Sequence, residues 1–166
     1  YYDCNNILTV EIGDEVFGGM VFYISEDLKT GLVVSLSNQN DAANWGCQGI
    51  LIDGANNDQI GFGLQNTLDI INDCSQDNIA AKICDELVLN GFDDWYLPSK
   101  DELNLLYNNL HLNGFGDFEN GEGNCCNGWY WSSTDGETNG EAAWVQSFRN
   151  DGQDGFQGTY DFGIKT

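Results

Sequence analysis

The sequence has few basic residues and only one proline and one histidine. Five Lys and Arg residues stand against 27 Asp and Glu residues, which gives a formal net charge of −22. The cations are scattered along the chain: Lys29, Lys82, Lys100, Arg149 and Lys165. Binding to nucleic acid or to an anionic membrane surface needs clustered Lys and Arg. Both classes of partner are therefore disfavoured.

Long apolar runs are also missing. No stretch approaches the roughly 18 apolar residues that a membrane-spanning helix needs, so no membrane insertion is predicted. The chain starts at Tyr1 without a signal peptide or an apolar anchor, and we expect a mature or excised piece. Its length and its hydrophobic content of 41% predict a single globular domain over residues 1–166, with residues 1–13 as a lead-in segment.

The sequence has no Cys-x-x-Cys spacing, and His111 is the only histidine, so neither a zinc site nor a hydrolytic triad is predicted. An even number of cysteines in an acidic chain indicates an oxidising, extracellular compartment. The six are Cys4, Cys47, Cys74, Cys84, Cys125 and Cys126. We predict a Cys74–Cys84 disulfide, because Cys74 shares the apolar, core-facing side of a predicted helix with Leu64, Leu68 and Ile71, and Cys84 lies on the apolar side of the next helix. We also predict a Cys4–Cys47 pair. The adjacent Cys125 and Cys126 either form a strained bond or pair elsewhere.

The segment Asp94–Leu103 predicts a strand that ends at Pro98 and leads directly into a helix. Ser99 is a favourable N-cap, and Glu102 three residues later completes a capping box. Apolar residues then follow at helical spacing: Leu103, Leu106, Tyr107 and Leu110. The pattern predicts a helix over residues 99–110.

The rest of the chain predicts an α+β domain. Strands are predicted at residues 16–24, 32–37, 128–134 and 142–149, and helices at 63–74 and 77–90. Long polar loops are predicted at residues 38–60 and 113–127. The C-terminal residues 150–166 are rich in glycine, and their aromatic and aliphatic residues alternate with small or polar ones.

Three motifs occur in a characteristic order: WYLPSKDEL at 95–103, YWSST at 130–134 and AWVQSFRN at 143–150. In this order they resemble the bacterial DUF1566 family, also known from the C-terminal domain of the Legionella collagen-like adhesin. The resemblance begins near Val16. It implies a C-type lectin-like fold, with a small twisted antiparallel sheet, flanking helices and long loops. Family members commonly end in a strand that carries Arg-Pro-Val-Arg. This chain lacks that sequence, so the sequence leaves open whether a closing strand is present.

The resemblance to lectin-like folds suggests a ligand-binding face on the last strands. An aromatic ring beside short polar groups suits a sugar ring or a protein surface. The predicted ligand-binding residues are Trp131, Ser132, Ser133, Arg149, Asn150, Asp151, Gln153 and Asp154. Core packing of Trp131 and a structural salt bridge of Arg149 are the alternatives.

Calcium is the cofactor that the acidic loops suggest, because Ca²⁺ prefers six to eight oxygen ligands. Asp53, Asn56 and Asp58 are the candidate ligands. The Glu-Pro-Asn and Trp-Asn-Asp tripeptides of sugar-binding C-type lectins are absent, so a solvated acidic turn is the alternative.

We therefore expect a non-enzymatic recognition or adhesion module of the bacterial cell surface that binds a glycan or a protein. The alternative is a structural subunit of a filament or larger assembly that self-associates, with Trp45, Phe115 and Phe118 as contacts. A third alternative is a catalyst similar to formylglycine-generating enzymes, which share the fold and use active cysteines.

Overall fold

The computed structural model describes residues 9–118, 128–136 and 140–148. Several predictions from the sequence concern residues outside these ranges. They are the positions of Cys4, Cys125 and Cys126, the ligand-binding residues from Arg149 onward, and the possible closing strand.

An antiparallel sheet forms the N-terminal part of the described chain. Strands β1 (Glu15–Val16), β2 (Gly19–Ile24) and β3 (Gly31–Val34) lie in that order. Gly18 has a φ of +82°, and a Cβ atom on Gly19 would collide with the carbonyl oxygen of Val34. The glycine pair is therefore a point of close backbone approach.

Three helices follow the first sheet. They are α1 (Gly63–Asp73), α2 (Ala80–Asp85) and α3 (Lys100–Asn109), and a 3₁₀ turn at His111–Asn113 extends the third. Helix α2 is shorter than the prediction of residues 77–90. Asn90 and Gly91 have φ angles of +54° and +87°, which reverse the chain between the bridged residues Leu89 and Phe92.

A second antiparallel sheet contains the motifs that carried the family resemblance. Strand β4 (Trp129–Asp135) pairs with β5 (Ala143–Ser147), and Trp131 lies opposite Val145. Within the described ranges β4 and β5 form a sheet of their own, so two small sheets stand where the sequence predicted one. The α+β class is confirmed.

Two clusters of buried residues form the core. The first joins the long loop before α1 to helices α1 and α2: Trp45, Cys47, Ile52, Ile70, Cys74, Ile79 and Leu97. The second joins β2 to α3 and the end of β5: Met20, Phe22, Leu103, Leu106, Leu110 and Phe148. Trp45 is fully buried, and its Nε1 donates to the carbonyl oxygen of Ser132 at 2.6 Å. The prediction that Trp45 is a contact in an assembly is therefore wrong.

The disulfide in the described part of the chain joins Cys47 to Cys74, with the two Cα atoms 5.5 Å apart. The predicted Cys74–Cys84 and Cys4–Cys47 pairs are therefore wrong. The first error came from the choice of helix face. Helix α1 buries Ile70, not Leu64 and Leu68, so Cys74 at its C-cap faces the first core cluster, where Cys47 lies. Cys84 is a free thiol, and burial raises its pKa to about 11.

Candidate functional site

Helix α3 begins with the capping box that the sequence predicted. The Ser99 hydroxyl accepts from the Glu102 backbone N–H, and the Glu102 carboxylate accepts from the Ser99 N–H at 2.8 Å. Glu102 is fully buried and also accepts from the Gly61 N–H at 2.7 Å. The carboxylate therefore connects the start of α3 to the chain before α1, and a Cβ on Gly63 would collide with it.

Strand β4 carries two of the predicted ligand-binding serines, and both are buried. The Ser132 hydroxyl donates to the carbonyl oxygen of Trp144 at 3.0 Å. The Ser133 hydroxyl accepts from Asn66 Nδ2 at 3.3 Å. Because β4 is packed between β5 and α1, these hydroxyls bond within the protein, and the prediction that they face a ligand is wrong.

Trp131 lies on the same strand but has a different environment. Its indole Nε1 donates to the carbonyl oxygen of Ala43 at 3.0 Å, which fixes the ring against the loop before α1. The ring is only partly buried, and it forms part of the wall of a large cleft. Trp131 is therefore partly packed and borders the cleft, and its role as a ligand-binding residue stays a prediction.

The cleft has a volume of about 1170 Å³ and lies between the first sheet, helix α2, the segment before α3 and strand β4. One side is aromatic and is formed by Phe92, Trp95, Tyr96, Trp129 and Trp131. Another side is the polar loop after β3, with the side chains of Ser37, Asn38, Gln39, Asn40 and Asn44. We call this space the aromatic cleft.

The charges of the aromatic cleft limit what it can bind. Its described lining residues include the carboxylates of Asp41 and Asp94 and no Lys, Arg or His. Tyr96 stays neutral, because burial and the neighbouring Glu102 carboxylate raise its pKa above the usual range. The cleft therefore offers aromatic faces, amides and hydroxyls, which suit an uncharged polar ligand and disfavour an anionic one.

The predicted calcium ligands lie away from the cleft lining. Asp58 faces Lys100, whose Nζ is 3.8 Å from its Oδ2 and 4.1 Å from the centre of the Trp144 ring. Asp53 and Asn56 are exposed. Within residues 9–118, 128–136 and 140–148 no group of three or more His, Cys, Asp or Glu side chains is placed to hold a metal ion. Calcium stays a prediction that the described carboxylates do not support.

The structure thus brings only part of the predicted site together. Arg149, Asn150, Asp151, Gln153 and Asp154 lie outside the described residues. Sequence reasoning missed the role of Trp95 and of the amide-rich loop at residues 37–44 as cleft walls. The signals were the aromatic pair before Pro98 and the run of Asn and Gln after β3, but nothing in the sequence shows that these segments meet.

No helix in the described ranges is long and apolar enough to cross a membrane. The model of the family described as the Lcl C-terminal domain matches residues 24–162, which is most of the chain. The match agrees with the family that the sequence motifs resembled. Neither a curated protein nor a solved structure matches the chain.

Proposed function

Because the chain belongs to the Lcl C-terminal domain family, a family with a surface-associated role, we propose that it is a non-enzymatic recognition module that binds uncharged glycans. The proposed binding site is the aromatic cleft. The observation that carries the proposal is that Trp95, Trp129 and Trp131 line one large cleft together with the amide-rich loop at residues 37–44.

The aromatic side of the cleft suits the apolar faces of sugar rings. A pyranose carries C–H groups on its faces and hydroxyls around its edge. A tryptophan ring provides a large, flat apolar surface for the C–H face. Trp131 is held by its bond to Ala43, so its ring is already oriented before a ligand arrives. Such preorganisation lowers the entropic cost of binding.

The amide-rich part of the cleft lining suits the hydroxyl groups of a sugar. Asn and Gln side chains each offer two donor hydrogens and an acceptor oxygen, so they bond to hydroxyls in either direction. Asn38, Gln39 and Asn40 supply these groups from the loop after β3. The loop thus provides the directional contacts that a stacking surface lacks.

The negative charge of the protein favours neutral over anionic glycans. The chain has a net charge of −22, and the described lining of the cleft contains no cation. A sulfated or carboxylated glycan would meet repulsion, and the described lining residues offer it no compensating ion pair. Neutral glycans are therefore the class of ligand that the cleft favours.

A glycan array that contains matched neutral and sulfated oligosaccharides tests the proposal. We expect binding to neutral members and none to their sulfated counterparts. Trp129→Ala removes a stacking ring and should weaken binding by about fivefold or more, since a stacked aromatic contributes on the order of 1 kcal/mol or more. Trp144→Ala is the matched control, because Trp144 lies under Lys100 and does not line the cleft.

A second variant guards against loss of folding. Asn38→Ala removes one amide from an exposed loop residue and should weaken binding while the unfolding midpoint stays unchanged. Preference for sulfated glycans, or equal binding by wild type and both cleft variants, would refute the proposal.

A further inference from the structure

Helix α1 turns a polar face toward the protein. Its buried residues are Gly63, Asn66, Thr67 and Ile70. Asn66 Nδ2 donates to the carbonyl oxygen of Asn57 at 2.7 Å, and the Thr67 hydroxyl accepts from the Leu97 N–H at 3.1 Å. These bonds connect α1 to the chain at Asn57 and at Leu97. Polar residues therefore hold much of the inner face of the helix in place.

The leucines of α1 lie on the solvent-exposed face of the helix. Leu64 is 47% exposed and Leu68 is 38% exposed, one helical turn apart on the same face. Ile60 and Phe62, each 39% exposed, continue the apolar run at the N-terminal end of the helix. We call these four residues the α1 stripe. The sequence pattern had placed Leu64 and Leu68 against the core, and this expectation is wrong.

Single exposed leucines are common on protein surfaces, but grouped ones indicate a contact. The α1 stripe contains four large apolar side chains within nine residues. The inner face of α1 is held by Asn66, Thr67 and Ile70. The half-exposed leucines thus add little to the attachment of the helix, and a binding partner accounts better for their grouping.

Acidic side chains surround the α1 stripe in the chain. Asp58 precedes it, Asp69 follows Leu68, and Asp73 ends the helix. Asp69 lies against Gly54, where an added Cβ would be 2.6 Å from its Oδ2, so Asp53 is also near. The lysines of the described ranges are already beside carboxylates, with Lys100 next to Asp58. Lys100 partly neutralises Asp58, but the other carboxylates and the net charge of −22 leave the chain around the stripe negative; we call these carboxylates the acidic rim.

We propose that the α1 stripe is a docking surface for a basic amphipathic segment of a partner protein. Leucine-like side chains of the segment would cover the stripe, and its Lys or Arg residues would face the acidic rim. A second copy of this chain fits less well, because each copy carries a charge of −22. The stripe is separate from the aromatic cleft, since no residue from 45 to 79 lines that cleft.

Binding of synthetic peptides tests this proposal. The probe is an amphipathic helical peptide with leucines on one face and lysines on the other. The comparison peptides are a glutamate version and a lysine–serine version of equal charge. We expect the lysine–leucine peptide to bind at least about tenfold more tightly than either comparison peptide, and added salt to weaken it.

Variants locate the contact. Leu64→Ser with Leu68→Ser should weaken binding of the lysine–leucine peptide by about tenfold or more, whereas Leu64→Met with Leu68→Met should retain it. Leu28→Ser is the matched control, since Leu28 is 80% exposed and lies on a hairpin turn. Trp129→Ala in the cleft should leave peptide binding unchanged, which separates this proposal from glycan binding.

Three results would overturn the inference. The first is equal binding of the lysine–leucine and lysine–serine peptides, which would show that peptide binding depends on charge alone. The second is full peptide binding by the folded double serine variant. The third is a dimer of the wild-type chain in sedimentation that the double serine variant abolishes, which would make a second copy the occupant.

Discussion

At the scale of single residues, hydrogen bonds of buried polar side chains connect the segments of the domain. Glu102 has no exposed surface, yet its carboxylate accepts from Ser99 and Gly61 and lies 3.4 Å from the Tyr96 hydroxyl. The sequence predicted the capping box, because its residues are three apart on one helix. The bond to Gly61 was not predictable, since the two residues are 41 positions apart.

Replacing Glu102 tests the importance of this carboxylate. Glu102→Ala leaves the Ser99 and Gly61 N–H groups without an acceptor, and we expect the free energy of unfolding to fall by about 3 kcal/mol. Asp101→Asn is the control in the same helical turn. Burial and the neighbouring Asp58 raise the pKa of Asp101, so loss of its charge should change stability by less than about 0.5 kcal/mol. Urea unfolding measures both; equal effects would contradict the account.

Cys84 gives a prediction about pH. Burial, followed by the nearby Asp85, raises the pKa of its thiol to about 11. Since the thiolate is the reactive form, alkylation of Cys84 at pH 8 should be about a hundredfold slower than that of an exposed thiol. The native thiol keeps its proton to a higher pH than the unfolded thiol. The free energy of unfolding should therefore fall as the pH rises from 9.0 toward about 11.

Peptide-resolved mass spectrometry follows the alkylation of each cysteine separately. Cys84→Ala should reduce the loss of stability at alkaline pH. Rapid labelling of Cys84 in the native protein at pH 8 would show that its thiol is neither buried nor protonated.

At the scale of elements, local patterns located the helices and strands, but the choice of buried face depended on tertiary partners. Apolar periodicity placed α1 within one residue of its observed bounds. The same pattern chose the wrong face, because Asn66 and Thr67 find partners on Asn57, Leu97 and Ser133 that only the folded chain provides. That error then produced the wrong disulfide partner for Cys74.

The corrected disulfide gives a prediction for the link between α1 and the preceding loop. Cys47→Ala with Cys74→Ala opens a loop of 27 residues, and we expect a loss of about 3 kcal/mol in the free energy of unfolding. Cys84→Ala removes a free thiol and should cost about 1 kcal/mol. Urea unfolding without reductant makes the comparison. A loss from Cys84→Ala as large as that from the double variant would contradict the account, because the observed disulfide does not include Cys84.

At the scale of the whole molecule, charge limits which partners the protein can have. The sequence alone predicted the α+β class and the family, and both are confirmed. The exclusion of polyanionic partners stays a prediction. The sequence did not predict the aromatic cleft, because Trp95, Trp131 and the loop at residues 37–44 are distant in sequence and meet only in the folded chain. Contacts of this kind depend on the relative position of elements, which local patterns do not encode.

The same charge predicts how salts affect stability. Repulsion among the acidic residues opposes folding, so added NaCl should raise the midpoint of thermal unfolding at pH 7. Ca²⁺ and Mg²⁺ at equal ionic strength should raise the midpoint equally, since the described carboxylates form no group that could hold a metal. An additional rise with Ca²⁺ alone would establish native-state binding and direct attention to Asp53, Asn56 and Asp58.

The most direct test of glycan recognition is to titrate the isotope-labelled protein with a neutral oligosaccharide selected on the array and to follow the five tryptophan indole N–H signals by NMR. Trp95, Trp129 and Trp131 line the aromatic cleft, whereas Trp45 is fully buried and Trp144 lies under Lys100. The account predicts that the signals of the first three shift together until saturation and that those of Trp45 and Trp144 do not. Saturable binding that leaves the three cleft signals in place would contradict it.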